Sequence, residues 1–367
     1  MTTYLIRRLI QGFFVLVVAS FVIYSILIIT PGGPMDQINE IRQDPSKHVS
    51  KYFIDQMLQR YKLDKPYPLN YLVWLFDPSE TSEIQGIDTV VPKGIDVTIG
   101  PWRIRGSGVL TGDFGKSVNM AKGVPVMDMI GSRIGFTLAL TITALTISLL
   151  IALPIGIISA IRQYSRMDYA VTAFSFVGLS MPTFWLGLML IIFLAVLPKL
   201  WHQQNGWIWL PYLPPGYIAD TGQEGNVANR VYHLVLPVAV LAFVSIAGYS
   251  RFVRSSMLEV LRQDYVRTAW AKGLSQRVVI LRHALRNALI PVITIVTLSL
   301  PGLVAGAIVT ETVFSYAGMG QLFAKSVFQL DIPIVMAFLV IITTMIVISN
   351  ILADVLYAVT DPRIRYS

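Results

Sequence analysis

The residues with the most chemical potential lie close together. Between Arg251 and Pro291 the chain carries Arg251, Arg254, Arg262, Arg267, Lys272, Arg277, Arg282 and Arg286 against two acids, Glu259 and Asp264. What it can do is bind. One candidate is an anionic lipid surface, on which a basic amphipathic helix would rest. The other is a groove on a polypeptide partner, which a short helical elbow would fill. The usual catalytic groups are missing. There is no cysteine, hence no disulfide and no thiolate metal site. His48, His202, His233 and His283 are far apart and show no metal-ligand spacing. No Gly-rich phosphate loop of the G-x-x-x-x-G-K-[ST] type occurs.

Two helices must hold these cations. Met257, Leu261, Tyr265 and Ala269 recur every four residues and predict one apolar helical face. Lys272 followed by Gly273 is a helix stop. Ser275 is placed to cap a second helix running through Arg286. The prediction is helix, tight glycine turn, helix, with a long apolar run directly before and another directly after.

Those runs set the class. Of 367 residues 54% are hydrophobic and 14% charged, with a mean hydropathy of +0.62. Soluble domains carry about 25% charged residues. A charge at mid-bilayer costs roughly 2.5–3.5 kcal/mol on insertion scales, so lipid-facing surface explains the shortfall. The net charge of +8 would suggest nucleic acid in a soluble protein, but here most of it sits in the 251–287 loop. Cytoplasmic loops between spans are enriched in Lys and Arg.

Six spans are predicted, at 9–29, 134–160, 169–197, 232–253, 288–310 and 333–357. The first is too long for the apolar core of a cleaved signal, and Pro31-Gly32-Gly33-Pro34 is not a cleavage site. Six spans place both termini and the basic connections 162–166 and 251–287 on one side, the cytoplasmic one. Residues 31–133 hold twelve basic and twelve acidic residues and read as a small external α+β subdomain. A helix is expected at 48–63 and a hairpin within 86–110. A five-helix transmembrane core would then occupy 134–367, and the fold class is all-α polytopic membrane protein. Proline and glycine in spans two, three and five are expected to interrupt their helices. Ser180, Pro182, Pro291, Pro301 and Gly302 are the candidates for hinges or pathway lining. No Asp, Glu, Lys or Arg occupies a span centre, which argues against an ion-coupled carrier.

The segment DYVRTAWAKG at 264–273, followed by RHALRNALIP at 282–291, closely resembles the coupling loop of ABC-importer permeases of the dipeptide/oligopeptide/nickel transport family. Further pieces resemble the same family in the same order. They are Arg7-Arg8 with 31–34, GDFGKS at 112–117, SMPTFWLG at 180–187, ETVFS at 311–315 and DPRI at 361–364. The likeness covers nearly all the chain except roughly 35–110, where residues near 76–110 are additional to the family pattern. The general importer signature is E-A-A-x₃-G-x₉-I-x-L-P. Aligning its glycine on Gly273 puts Arg267-Thr268-Ala269 at E-A-A and Arg286 at the final proline. That departure looks like the B-type subunit of a pair of dissimilar permeases.

The resemblance implies a permease subunit with no catalytic residues and no cofactor of its own, in the cell inner membrane. Implied partners are a second homologous permease, two cytoplasmic ATPases that bind ATP and Mg, an external solute-binding protein and membrane lipid, but not nucleic acid. Glu259, Arg262, Asp264, Tyr265, Arg267, Thr268, Ala269, Lys272 and Gly273 would form the ATPase-coupling loop. The substrate class implied is peptides, with oligosaccharides or nickel chelates as alternatives. A membrane sensor or anchor, using 31–133 to bind a ligand, is the reading outside transport. Glu311, just beyond span five, suits a helix-capping carboxylate, the reading we favour, or a contact to a substrate amine.

Overall fold

A computed structural model describes residues 2–29, 67–76, 95–99, 102–106, 112–205 and 212–360, together with 36, 39 and 109. The expected helix at 48–63, the segment 31–34 and the 361–367 tail lie outside the described residues. Among those described, six helices are long and apolar enough to cross a membrane: Ile6–Ile26, Val126–Ile161, Thr183–Gln204, Val227–Leu261, Gln276–Val313 and Ile332–Leu356. The protein is therefore an all-α polytopic membrane protein. The third span begins well after the expected 169, because the chain is extended at Met181 and Pro182.

In chain order the elements are α1 (Thr2–Ile29), α2 (Leu69–Phe76), the strands β1 (Ile95–Ile99) and β2 (Trp102–Gly106), α3 (Val126–Ile161), α4 (Arg166–Ser180), α5 (Thr183–Ile191) and α6 (Leu197–Asn205). Then come α7 (Val227–Leu261), α8 (Asp264–Ala271), α9 (Leu285–Leu298), α10 (Leu300–Ala305), α11 (Ile308–Val313), α12 (Met319–Phe328) and α13 (Ile332–Thr360). Two π-helical stretches, Ile192–Val196 and Val279–Ala284, run without interruption into α6 and α9. The strands form an antiparallel hairpin with Ile95 opposite Gly106 and Ile99 opposite Trp102, inside the stretch where one was expected.

Local signals explain the helix ends. Asn226 caps α7, its side-chain oxygen accepting from the N–H groups of Ala228 and Asn229. Ser165 caps α4 by accepting from Asp168 N–H at 3.2 Å. Proline acts less uniformly than expected. Pro182 stands at the break before α5, but Pro154 lies inside the unbroken α3 and Pro291 inside the unbroken α9. In span five the interruptions fall at Ser299 and at Gly306, whose φ is +80°. Proline removes one donor, a loss that a helix packed among neighbours can absorb, whereas Gly306 takes a backbone conformation that ends a helix.

Contacts divide the chain into two compact units, Met1–Leu9 with Arg133–Gln321 and Met345–Ser367, and Ile10–Ser132 with Leu322–Thr344. The first holds two apolar clusters. One gathers Ala160, Val253, Met257, Val266, Ala269 and Val279 at the basic end of the helices. The other gathers Leu140, Ala195, Leu236, Phe314 and Tyr316 at the opposite end. Span two and α4 each approach span four closely because two residues lack a side chain. A Cβ on Gly156 would lie 2.7 Å from Ser250 O, and one on Gly178 would lie 2.5 Å from Ala247 Cβ.

In the second unit Tyr24 of α1 packs on Tyr71 and Trp74 of α2, and the Ser20 and Tyr71 hydroxyls are hydrogen-bonded at 2.8 Å. Its main polar lock is Asp331, which is fully buried just before α13. The carboxylate accepts from Ser117 Oγ at 2.5 Å and from the N–H groups of Val118, Asn119 and Met120 at 3.2, 3.0 and 2.9 Å. Asp331→Ala leaves those donors without their acceptor. It is expected to cost about 3 kcal/mol of stability, read as a lowered Tm of the purified protein in detergent.

Candidate functional site

The basic stretch folds as a helical elbow. α7 ends at Leu261, Arg262 and Gln263 form a short kink, and α8 follows after an extended Gln263. This kink corrects the four-residue periodicity. Met257 and Ala269 are buried as expected, but Tyr265 is exposed and Val266 is fully buried in its place. A continuous helix was assumed, and the kink rephases everything after it. The elbow closes through Lys272 N–H to Thr268 O at 3.1 Å and Gly273 N–H to Trp270 O at 2.9 Å. Gly273 has φ +73°, the left-handed conformation that glycine adopts at least cost. Ser275 stands at the next helix start in extended conformation, yet its side chain makes no capping hydrogen bond. The backbone carbonyl serves instead, accepting from Val279 N–H at 3.0 Å.

The structure sorts the candidate loop residues by face. Val266 and Ala269 point into the apolar cluster shared with α3, α7 and α9. Glu259, Arg262, Asp264, Arg267, Thr268, Lys272, Gly273 and the aromatic Tyr265 and Trp270 are exposed. Arg267 and Asp264 approach to 3.7 Å, but both are almost fully solvated, so the pair adds little. Tyr265 Oη accepts from Asn287 Nδ2 at 2.7 Å and ties α8 to the start of α9. The result is a small helix with a rigid apolar back and an open charged and aromatic front. Of the other candidates, Ser180 and Pro182 flank the break between α4 and α5, Pro301 is buried at the start of α10, and Gly302 is exposed beside it.

Two buried carboxylates complete the picture, and sequence reasoning missed what holds them. Asp168 lies in the first turn of α4. Its Oδ1 accepts from Arg254 Nε and from Ser159 Oγ, both at 2.5 Å. Its Oδ2 accepts from Arg254 Nη2 at 2.8 Å and from Tyr164 N–H at 2.9 Å. The Arg254 guanidinium outweighs burial and holds this carboxyl below the ordinary carboxylate range. Ser165 followed three residues later by Asp168 is a capping-box spacing, the one signal that marked the site. Arg254 had been counted only as loop charge.

The second is Glu311, which is fully buried in α11. Its Oε1 accepts from Thr137 Oγ1 of α3 at 3.0 Å and its Oε2 from Gln321 N–H at 2.9 Å, in the first turn of α12. Met319 N–H donates to Thr137 Oγ1 at 2.7 Å. The carboxylate caps the following helix, the reading favoured from the sequence, and is shut off from solvent. At the same end of the unit, an open depression of about 1240 Å³ lies between α6 and the start of α7, with Lys199, Asp220 and Glu224 on its walls. Among the described residues no group of three His, Cys, Asp or Glu is arranged to hold a metal ion.

Six apolar helices with a helical elbow built into one end define a multi-pass membrane protein. Residues 152–366 match the family described as "Binding-protein-dependent transport system inner membrane component", and the chain belongs to that family. It is similar to the oligopeptide transport system permease protein AppB of Bacillus subtilis (strain 168), 37% identical over 366 residues and the full length of both chains. It is 38% identical over 268 residues to the dipeptide transport system permease protein DppB of Escherichia coli (strain K12), covering 71% of this chain and 78% of that one. It is also 34% identical over 381 residues to DppB of Alkalihalophilus pseudofirmus, again over both full lengths.

The enclosure of Glu311 gives a direct test. A Cβ on Gly306 would lie 2.5 Å from Glu311 Oε1, on a backbone that disfavours any side chain. Gly306→Ala is expected to destabilise by about 2–4 kcal/mol, combining strain with a displaced buried carboxylate. Gly302→Ala, whose Cβ would meet nothing within 4 Å, should shift stability by less than about 0.5 kcal/mol. Thermal unfolding of the two variants in detergent compares them.

Proposed function

We propose that this chain is one permease subunit of an ATP-driven importer and forms, with a second homologous permease, a path for peptide uptake. The observation that carries the reading is the construction of α8. Its buried face belongs to the same apolar cluster as α3, α7 and α9, while its opposite face is left open. A force on that open face reaches three spans without an intervening flexible link. The relatives' names supply the substrate class, oligopeptides and dipeptides.

In this reading the elbow is cytoplasmic and so are both termini, following the concentration of Lys and Arg. Glu259, Arg262, Asp264, Tyr265, Arg267, Thr268 and Lys272 meet an ATPase subunit, Ala269 anchors the helix and Gly273 makes its turn. ATP and Mg are bound by two such ATPases, and this chain performs no hydrolysis. The depression beside Lys199 and Glu224 opens on the outer side, where a solute-binding protein delivers its load. Residues 31–133 form the external subdomain. The break at Pro182 between α4 and span three, and those at Ser299 and Gly306 in span five, let the segments on either side move against one another, alternating access to a mid-membrane path.

The complete assembly in sealed vesicles tests this. Labelled peptide should accumulate only with ATP and the binding protein, and uptake that persists without ATP would refute the reading. Gly273→Val places a β-branched residue in a left-handed turn. It should leave insertion intact and lower uptake per ATP hydrolysed by about tenfold, an energetic uncoupling within the usual range. Peptide accumulation and phosphate release, measured on the same vesicles, give that ratio.

A further inference from the structure

The link between α8 and span three has no covalent stiffness of its own. α3 ends at Ile161 and α4 begins at Arg166, so only a four-residue turn joins span two to α4, which leads into span three. α4 meets α7 through small and aromatic residues. Gly178 sits against Ala247, the Ser175 and Ser250 hydroxyls approach to 3.3 Å, and the Phe174 and Phe243 rings meet edge-on at 5.0 Å. These contacts are apolar or weakly polar, so a shifted register could repack them without stranding a charge. The Asp168–Arg254 pair is different in kind. It is bidentate, Asp168 is almost completely buried, and both carboxylate oxygens are filled by further donors. A slip of one helical position would leave a buried charge unpaired, which costs far more than breaking a surface pair. Such pairs are poor sources of net stability, and their best-attested use is to fix register.

Its location supplies the purpose. Arg254 is three residues from Met257, which is buried in the cluster that receives Val266 and Ala269 of α8. Asp168 is at one end of α4, and the break at Met181-Pro182 is at the other.

We propose that Asp168 and Arg254 are positioning residues of the transport cycle. They lock the first turn of α4 to the base of α7, so that displacement of α8 is delivered along α4 to the break at Pro182, where span three begins. This rests on the reading of α8 as the ATPase-docking helix. Neither residue touches substrate or nucleotide.

The test uses the complete reconstituted complex and reads two quantities, assembly with its partners and peptide moved per ATP hydrolysed. Asp168→Asn keeps the shape and the acceptor for Tyr164 N–H but removes the charge. The expected result is an assembled complex with ATP hydrolysis within about twofold of wild type and a coupling ratio at least about fivefold lower, the small end of typical couplings. The chain contains no cysteine, so Asp168→Cys with Arg254→Cys can be bridged by a short thiol cross-linker once the partners are freed of cysteine. Bridging should restore most of the lost ratio, which a simple stability role would not predict. A wild-type ratio in Asp168→Asn, or a bridged pair no better coupled than the unbridged one, overturns the proposal. Where Asp168→Asn does not assemble, Arg254→Lys is read by the same ratio. If neither assembles, the pair is a folding element and the proposal fails. A wild-type complex with no ATP-dependent uptake would instead reject the importer reading.

Discussion

The burial of Val266 and Ala269 is the constraint from which the rest follows. α8 has eight residues, too few to persist alone in water. It exists because those two side chains complete an apolar cluster whose other members come from α3, α7 and the start of α9. Removing them would leave a cavity in the base of the bundle and free the elbow at once. The helix and the span bases are therefore one packed object. Cores at near-crystalline density move as units rather than deforming, so anything that shifts the open face of α8 must shift them all.

The opposite end of this unit has its own cluster around Leu140, Leu236, Phe314 and Tyr316, and its own polar lock at Glu311. Between the two clusters the chain is interrupted at Pro182, where α4 gives way to span three, and in span five at Ser299 and Gly306. Spans two and four run through both clusters unbroken. Two packed ends joined by two continuous and two interrupted helices form the mechanical basis of the proposed alternating access. The continuous helices set the distance between the ends, and the interrupted ones have the freedom to bend.

Much of this was legible in sequence. Six spans, the basic elbow and the left-handed turn at Gly273 follow from hydropathy, charge and glycine placement. Family motifs pointed to the same loop. One error arises because helical periodicity is lost at a kink. Tyr265 was placed on the buried face because Arg262 and Gln263 were not recognised as a break. Proline was overread, because whether it interrupts a span depends on neighbours that a single sequence does not reveal. The two buried carboxylates were hidden for another reason. Asp168 and Arg254 are 86 residues apart, and Thr137 and Glu311 are 174 apart. Only the tertiary fold turns one loop charge among eight into half of a buried pair.

The most direct measurement exploits the absence of cysteine from this chain. Spin labels at exposed Thr268 of α8 and Tyr169 of α4 report distance within the basic-end body. Labels at Tyr169 and exposed Trp201 of α6 report distance across the Pro182 break. In the complete complex, ATP should leave the first distance unchanged and alter the second. An equal or larger change in the first would mean that α8 moves independently of the spans, and the account would be wrong.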